Sequence, residues 1–300
     1  MESTLLVTGG SGGLGRRVLE LLLEAKAGNL IATTRKPEKL ADLAARGVVV
    51  RKADFEDPGS LPDAFAGADR LLLISTDAVD KPGRRIAQHR AALDAAVRAG
   101  VKHVIYTSLT APEPGSPITF APDHYGTEQA LAASQMGWTI LRNNVYTEGL
   151  IRSLPQAVAS GKLVAAAGDG GAAYVTREDC ARAAASALAA QGLNRKILDI
   201  TGPAVVTHSD LARIASDLTG RPVIYTSIPA DELRKGMMAA GIPEVFADIM
   251  VSFDVARAKG TLAVVSNAVQ ELTGRAPTSV AAFLESQRAA LLPAAQASKA

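Results

Sequence analysis

The chain has 300 residues, 48% hydrophobic and 21% charged, which suits one large domain or a nucleotide-binding domain with a smaller attached lobe. A net charge of +2 gives no electrostatic case for nucleic acid or an anionic membrane as partner, and the single cysteine, Cys180, excludes an intramolecular disulfide. The most apolar segment, Val18 to Ala25, is interrupted by Glu20 and Glu24 and is far too short to span a bilayer. Met1 to Thr8 runs straight into a strand and a glycine turn, with no room for a signal peptide, so a cytoplasmic protein is expected.

In chain order, the first half alternates strand and helix patterns. "TLLVT" is a short apolar run, and "LGRRVLELLLEA" sets Leu14, Val18, Leu21 and Leu22 on one helical face. "NLIATT" predicts a second strand and "KPEKLADLAARG" a helix ended by Gly47. "VVVRKAD", the short helix "GSLPDAFAG", "RLLLIST", the long helix "GRRIAQHRAALDAAVRAG" and "KHVIYTSL" continue the alternation. Such spacing predicts an α/β fold, a Rossmann-type doubly wound parallel sheet, and the near-continuous apolar strands agree with burial on both faces. After "WTILRNN" the rhythm loosens into intermixed short strands and helices. The expected division is a dinucleotide-binding core over residues 1–150, with strand contributions from later segments. A smaller α/β substrate lobe over 151–292 and a frayed tail over 293–300 complete it.

"TGGSGGLG", Thr8 to Gly15, falls between the first strand and the first helix. It reads as Gly10-x-Gly12-x-x-Gly15 or as Gly9-x-x-Gly12-x-x-Gly15, and both place glycine where the chain turns sharply and backbone approaches a pyrophosphate. Unpaired N–H groups opening the helix would face that anion, so Thr8, Gly9, Gly10, Ser11, Gly12, Gly13 and Leu14 are expected cofactor residues. At the end of the second strand an NAD site usually offers an acid to the ribose 2′-hydroxyl. Here Thr33 and Thr34 occupy that place and Arg35 follows, an arrangement that favours a 2′-phosphate and hence NADP(H). Asp54 is placed to accept from the adenine amino group with Phe55 beside the ring, and Ser75 and Thr76 to line the nicotinamide ribose.

"HYGTEQAL" carries Tyr125 and, four residues on, Gln129, where the short-chain dehydrogenases keep Tyr and Lys. Without a cation nearby a tyrosine should stay near pKa ~10 and relay protons poorly at neutral pH. Together the glycine turn, "TTR", "ADFED", "HVIYTS", "HYGTEQ" and "LRNNVYTEG" resemble the NmrA-like atypical short-chain dehydrogenases, and within them the bacterial type 2 NADPH quinone oxidoreductases and triphenylmethane reductases. The resemblance covers nearly the whole chain, including "VTREDCARAAA" and "AAGIPEVFADIM" in the second half. It implies hydride transfer from NADPH to a quinone or similar conjugated aromatic, a reaction governed by proximity that tolerates loss of the lysine. It also implies that Tyr125 and His124 are the candidates for chemistry, and that Thr107, Ser108, Asn143, Asn144 and Tyr146 touch the nicotinamide half. Arg142 is read either as a cofactor contact or as a salt bridge supporting the loop.

The other chemistry-bearing residues are assigned to structure. His89, His103 and His208, Cys180 in an Ala-rich helix and Trp138 in an apolar strand are expected to be structural, and no His/Cys/Asp spacing suggests a metal. Phe120, Tyr146, Met237, Met238 and Phe246 are expected to wall a mostly apolar cleft between the two lobes. Two alternatives remain open. One is a regulator that binds the dinucleotide without turnover, as NmrA does; the other is a tailoring enzyme acting on an aromatic polyketide quinone. The oligomeric state, a homodimer included, is also left open.

Overall fold

The computed structural model describes residues 3–292, so the tail at 293–300 lies outside the described residues. Strands β1 (Thr4–Val7), β2 (Asn29–Thr34), β3 (Val49–Lys52), β4 (Arg70–Leu73), β5 (His103–Leu109) and β6 (Gly137–Asn143) follow the expected alternation. Between them run helices α1 (Gly13–Glu24), α2 (Ala41–Ala44), α3 (Leu61–Phe65), α4 (Arg84–Arg98) and α5 (Ala121–Ala133). The second helical pattern is broken: Pro37–Leu40 forms a 3₁₀ turn and only Ala41–Ala44 is α-helical, before Gly47 turns the chain at φ +96°.

Beyond β6 come α6 (Leu150–Ser160), β7 (Lys162–Ala165), β8 (Gly171–Ala172), α7 (Arg177–Ala189) and β9 (Lys196–Ile200). β9 joins β6 as the seventh strand, giving the order β3-β2-β1-β4-β5-β6-β9 with every pairing parallel. Alternate residues of β1 serve opposite faces. Leu5 and Val7 enter the cluster with Val18 and Leu22 of α1 and with Ala181, Ala184 and Leu188 of α7, whereas Leu6 joins Phe65, Leu93, Tyr106 and Trp138 on the other face.

The chain re-enters the core well after residue 150. Arg17 on α1 grips Glu178 on α7, Nε to Oε2 at 2.8 Å. Arg70 at the start of β4 donates to the carbonyls of Ala187 and Leu188, satisfying the end of α7 where a cation suits the helix dipole. The remaining elements are β10 (Val206–Thr207), α8 (His208–Thr219), β11 (Ile224–Ser227), α9 (Ala230–Ala239), α10 (Glu244–Ala258), α11 (Ala268–Thr273), α12 (Val280–Ser286) and α13 (Arg288–Leu291). Of these α11 packs on α7, while β10 pairs with β8 and β11 with β7. A third apolar cluster joins Leu109, Ile118 and Ala121 to Leu154, Tyr174, Leu211, Ala256 and Leu284.

Candidate functional site

All seven strands run the same way, so the segments leaving β1 to β6 emerge along one carboxyl edge. After β1 the chain turns through Gly9 at φ +61°, a conformation costly for any residue with a Cβ. Gly15 is required for a different reason, since a Cβ there would lie 2.5 Å from the Gly9 carbonyl oxygen. The turn is fastened to β2 by the Gly10 N–H on the Thr33 carbonyl at 2.9 Å, and by Ser11 Oγ and Thr34 Oγ1 at 2.7 Å. Helix α1 then starts at Gly13, where the first-turn N–H groups have no intrahelical acceptor. Thr8 is fully buried and bonds across to β4, donating to the Leu72 carbonyl and accepting from the Ile74 N–H.

Arg35 follows β2, exposed and without an ion-pair partner among the described residues. Asp54 lies two residues past β3 in a turn in which its Oδ1 accepts the Glu56 N–H, and Phe55 packs partly buried against the core beneath. A glycine cradle, an uncommitted guanidinium and a carboxylate thus lie in series along the edge. These residues fit the diphosphate, 2′-phosphate and adenine of NADP(H) respectively.

Helix α5 is unusual in what it buries. Ala121, His124, Thr127, Glu128 and Leu131 recur at helical spacing and point inward, and three of these five inward residues are polar. Each polar one is bonded. Glu128 accepts from Ser108 Oγ at 2.6 Å and is clamped by Arg142, Nη2 to Oε2 at 2.6 Å and Nε to Oε1 at 3.0 Å. Arg142 also pairs with Glu113 at 2.6 Å, and these carboxylates hold its pKa above the usual guanidinium value despite burial. The salt-bridge reading of Arg142 is thus the one with partners in the structure.

His124 and His89 flank the buried Tyr106. A guanidinium N–H can only donate, so His124 Nε2 accepts from Arg85 Nη1 at 2.9 Å, and its Nδ1–H donates to Tyr106 Oη at 2.8 Å. His89 Nε2 accepts the Thr76 N–H at 3.1 Å, leaving its Nδ1–H for Thr127 Oγ1 at 2.9 Å. Burial, reinforced by the nearby Arg85, pushes the His124 pKa well below the ordinary histidine value and that of His89 down to about 3. Both imidazoles are therefore neutral near pH 7. Both ring nitrogens of His124 are occupied.

Above this network lies a cavity of about 350 Å³, at the ends of β4, β5 and β6. Ser75, Ser108, His124, Asn143, Asn144 and Tyr146 all line it, so the structure brings together these expected residues from four separate segments. Thr107 sits just behind, its Oγ1 accepting the Ser75 N–H, while Thr76 contributes its N–H to His89. Asn143 Nδ2 donates to Tyr146 Oη at 3.2 Å, and Asn144 is tied to the Leu262 carbonyl of the smaller lobe. Tyr125 and Gln129 are not among the lining residues; the former is half-buried and the latter exposed. Successive helix residues are ~100° apart, so turning His124 into the cavity carries Tyr125 away from it.

The aromatic wall differs from the expected one. Phe120 and Phe253 stand with ring centroids 5.7 Å apart and both line the cavity. Met237, Met238 and Phe246 do not line it, and Phe246 is 50% exposed. Phe246 and Phe253 are two turns apart on α10, so one helical stripe supplies the wall at Phe253 and then runs out into solvent. Sequence reasoning also missed Arg85, Arg152 and Arg177. Nothing local separates Arg85 from its neighbour Arg84, yet Arg84 is at the surface pairing with Asp80 and Glu56, while Arg85 is buried in the cavity wall.

A parallel sheet of this order, with a glycine turn feeding α1 and a cavity on its carboxyl edge, defines a Rossmann-type dinucleotide-binding protein with an adjoining small-molecule site. The family model described as NAD(P)H-binding matches residues 9–191. The chain belongs to this NAD(P)H-binding family, in its NmrA-like branch. It is 36% identical to the NADPH-dependent quinone oxidoreductase of Escherichia coli solved with NADPH, over 94% of this chain and 99% of that one, with a TM-score of 0.89. It is also 36% identical to Citrobacter sp. triphenylmethane reductase solved with NADP(H), over 95% and 99% of the two chains, with a TM-score of 0.85. An NAD(P)H azoreductase of Xenophilus azovorans is 30% identical over 95% of this chain and 98% of its own.

Proposed function

We propose that the protein is an NADPH-dependent reductase whose acceptor is a quinone or a similarly conjugated aromatic. The observation that carries this reading is the cavity at the carboxyl edge, walled by Phe120, Tyr146 and Phe253, within the ~300–1,000 Å³ range of small-molecule sites. The relatives act, by name, on quinones, triphenylmethane dyes and azo compounds, which share an extended conjugated system able to take up hydride. Thr8 to Leu14 hold the diphosphate in this reading, Arg35 the 2′-phosphate, and Asp54 and Phe55 the adenine. Ser75, Thr76, Thr107, Ser108, Asn143, Asn144 and Tyr146 hold the nicotinamide half.

When bound, the nicotinamide supplies the hydride. The chain's own part is positioning. Ser108 is committed to Glu128, and His124 to Arg85 and Tyr106, so neither is a free general acid. A reaction whose developing oxyanion takes its proton from water suits such a site, and a simple ketone suits it less. Acceptors in this class extend to polycyclic polyketide quinones. No described helix is long and apolar enough to cross a membrane, and a cytoplasmic location belongs to the same reading. A regulator that only binds NADP would have no use for an aromatic-walled space beside the nicotinamide residues. Steady-state oxidation of NADPH against a panel of benzoquinones and naphthoquinones tests the reading; turnover with none of them, at saturating cofactor, would refute it.

A further inference from the structure

Arg85 is the second residue of α4 and only 6% exposed. Its guanidinium lies 4.7 Å from the centroid of the Phe120 ring and gives one hydrogen bond to a neutral acceptor, His124 Nε2. Its Nε has no partner, and no carboxylate lies within ion-pair distance among the described residues; Asp77 and Asp123 act on it only from further away. Each circumstance is unfavourable for a cation. Burial removes hydration, the N-terminal turn of a helix presents positive potential, and an orphaned N–H forfeits a hydrogen bond. Arg142, on β6, shows the usual solution: two carboxylates cover it.

The rest of the cavity wall has the same sign. Arg152 and Arg177 also line it and make no ion pair among the described residues, against one lining acid, Glu148, whose Oε1 already accepts the Arg177 N–H. With His124 neutral, three cations face one carboxylate.

We infer that Arg85 binds an acidic group on the acceptor, so that the substrate is a conjugated aromatic carrying a carboxylate, a sulfonate or an ionised phenol. The planar guanidinium, stacked on Phe120 and aimed by His124 through Nη1, presents its uncommitted Nη2 to such an oxyanion. Phe120 and Phe253 pack against the ring that bears it. The inference rests on the reductase reading in treating the cavity as the acceptor site, and its test therefore uses binding and not turnover.

Protein saturated with NADP⁺ is titrated calorimetrically with 2-naphthoate and with 2-naphthamide, which has nearly the same shape and no charge. The expected result is about tenfold or more tighter binding of the carboxylate. Arg85→Met should abolish that preference while changing 2-naphthamide and NADP⁺ affinities less than about threefold. Arg85→Lys should restore part of it, since the charge returns without the planar fork. Equal affinity of the two ligands in the unsubstituted protein, binding of neither, or a preference that survives Arg85→Met would overturn the inference. So would a comparable loss of NADP⁺ affinity, which would assign Arg85 to the cofactor. If Arg85→Met does not fold, Arg85→Lys decides: a reduced preference supports the inference and an unchanged one overturns it. NADPH oxidation by a neutral naphthoquinone is measured alongside, and its presence or absence reports on the reductase reading separately.

Discussion

Glu128 and Arg142 form a two-point ion pair beneath the cavity, and the pair locks α5 to the ends of β5 and β6. Glu128 is nearly inaccessible, so removing its charge leaves Arg142 half covered and Ser108 with a weaker acceptor. Glu128→Gln is expected to destabilise the fold by about 3 kcal/mol, the lower end for breaking a buried pair. Urea denaturation gives the value directly. A change below about 0.5 kcal/mol would mean that Arg142 is fully served by Glu113.

In the proposed function Arg35 holds the 2′-phosphate. Arg35 is exposed and has no ion-pair partner among the described residues, so Arg35→Ala should leave stability unchanged. It should weaken NADPH binding by about 1–3 kcal/mol while NADH binding barely moves. Fluorescence titration with both nucleotides checks this. Equal weakening of the two would remove the 2′-phosphate from Arg35.

Tyr125 keeps the dehydrogenase position but not the cavity. Tyr125→Phe is expected to lower quinone turnover by less than about tenfold, below the range for a lost acid–base group. A loss of several thousandfold at unchanged KM would restore a proton relay through this hydroxyl.

Much of the core was legible because local pattern and tertiary environment coincide there. β1, β2, β4, β5 and β6 are short, mostly apolar runs buried on both faces, with β3 the more exposed edge strand, and the glycine turn was readable because Gly9 and Gly15 answer to sterics between residues six apart. β9 and α7 were harder to place, since what seats them is distant: Arg17 on Glu178, and Arg70 on the end of α7. The cavity was half legible. Strand-end residues could be placed from topology, but Arg85 has the same one-dimensional signature as Arg84, and only the packing of α4 against α5 separates them. α5 itself has no apolar stripe to read, because its buried face is polar and satisfied by partners on other elements.

The buried imidazoles set the response to acid. His89 has its pKa pushed down to about 3, and His103 and His208 to about 4, in each case chiefly by burial, with a nearby arginine adding to it. Depressed folded values mean that the unfolded chain binds more protons between pH ~6.5 and ~4, so stability falls as pH drops through that window. Each imidazole should contribute a slope of about 1.4 kcal/mol per pH unit. His103 bonds only Thr139, at 2.8 Å, so His103→Gln isolates one share. Unfolding free energies measured from pH 7 to pH 5 should show a shallower slope in this variant, by about 1 kcal/mol per pH unit averaged over that range; an identical slope would mean that His103 titrates in the folded state as it does in the unfolded chain.

The central claim is that an acceptor meets the nicotinamide residues in the cavity beside Phe120 and Phe253. The direct measurement is a single turnover: protein loaded with one equivalent of NADPH is mixed with one equivalent of a naphthoquinone, and both absorbances are followed together. NADPH and quinone should disappear at the same rate and in equal amounts, with a primary isotope effect when the transferred hydrogen of NADPH is replaced by deuterium. Tight NADPH binding, with the quinone present and the nicotinamide absorbance unchanged, would contradict it and leave a protein that senses the cofactor without using it.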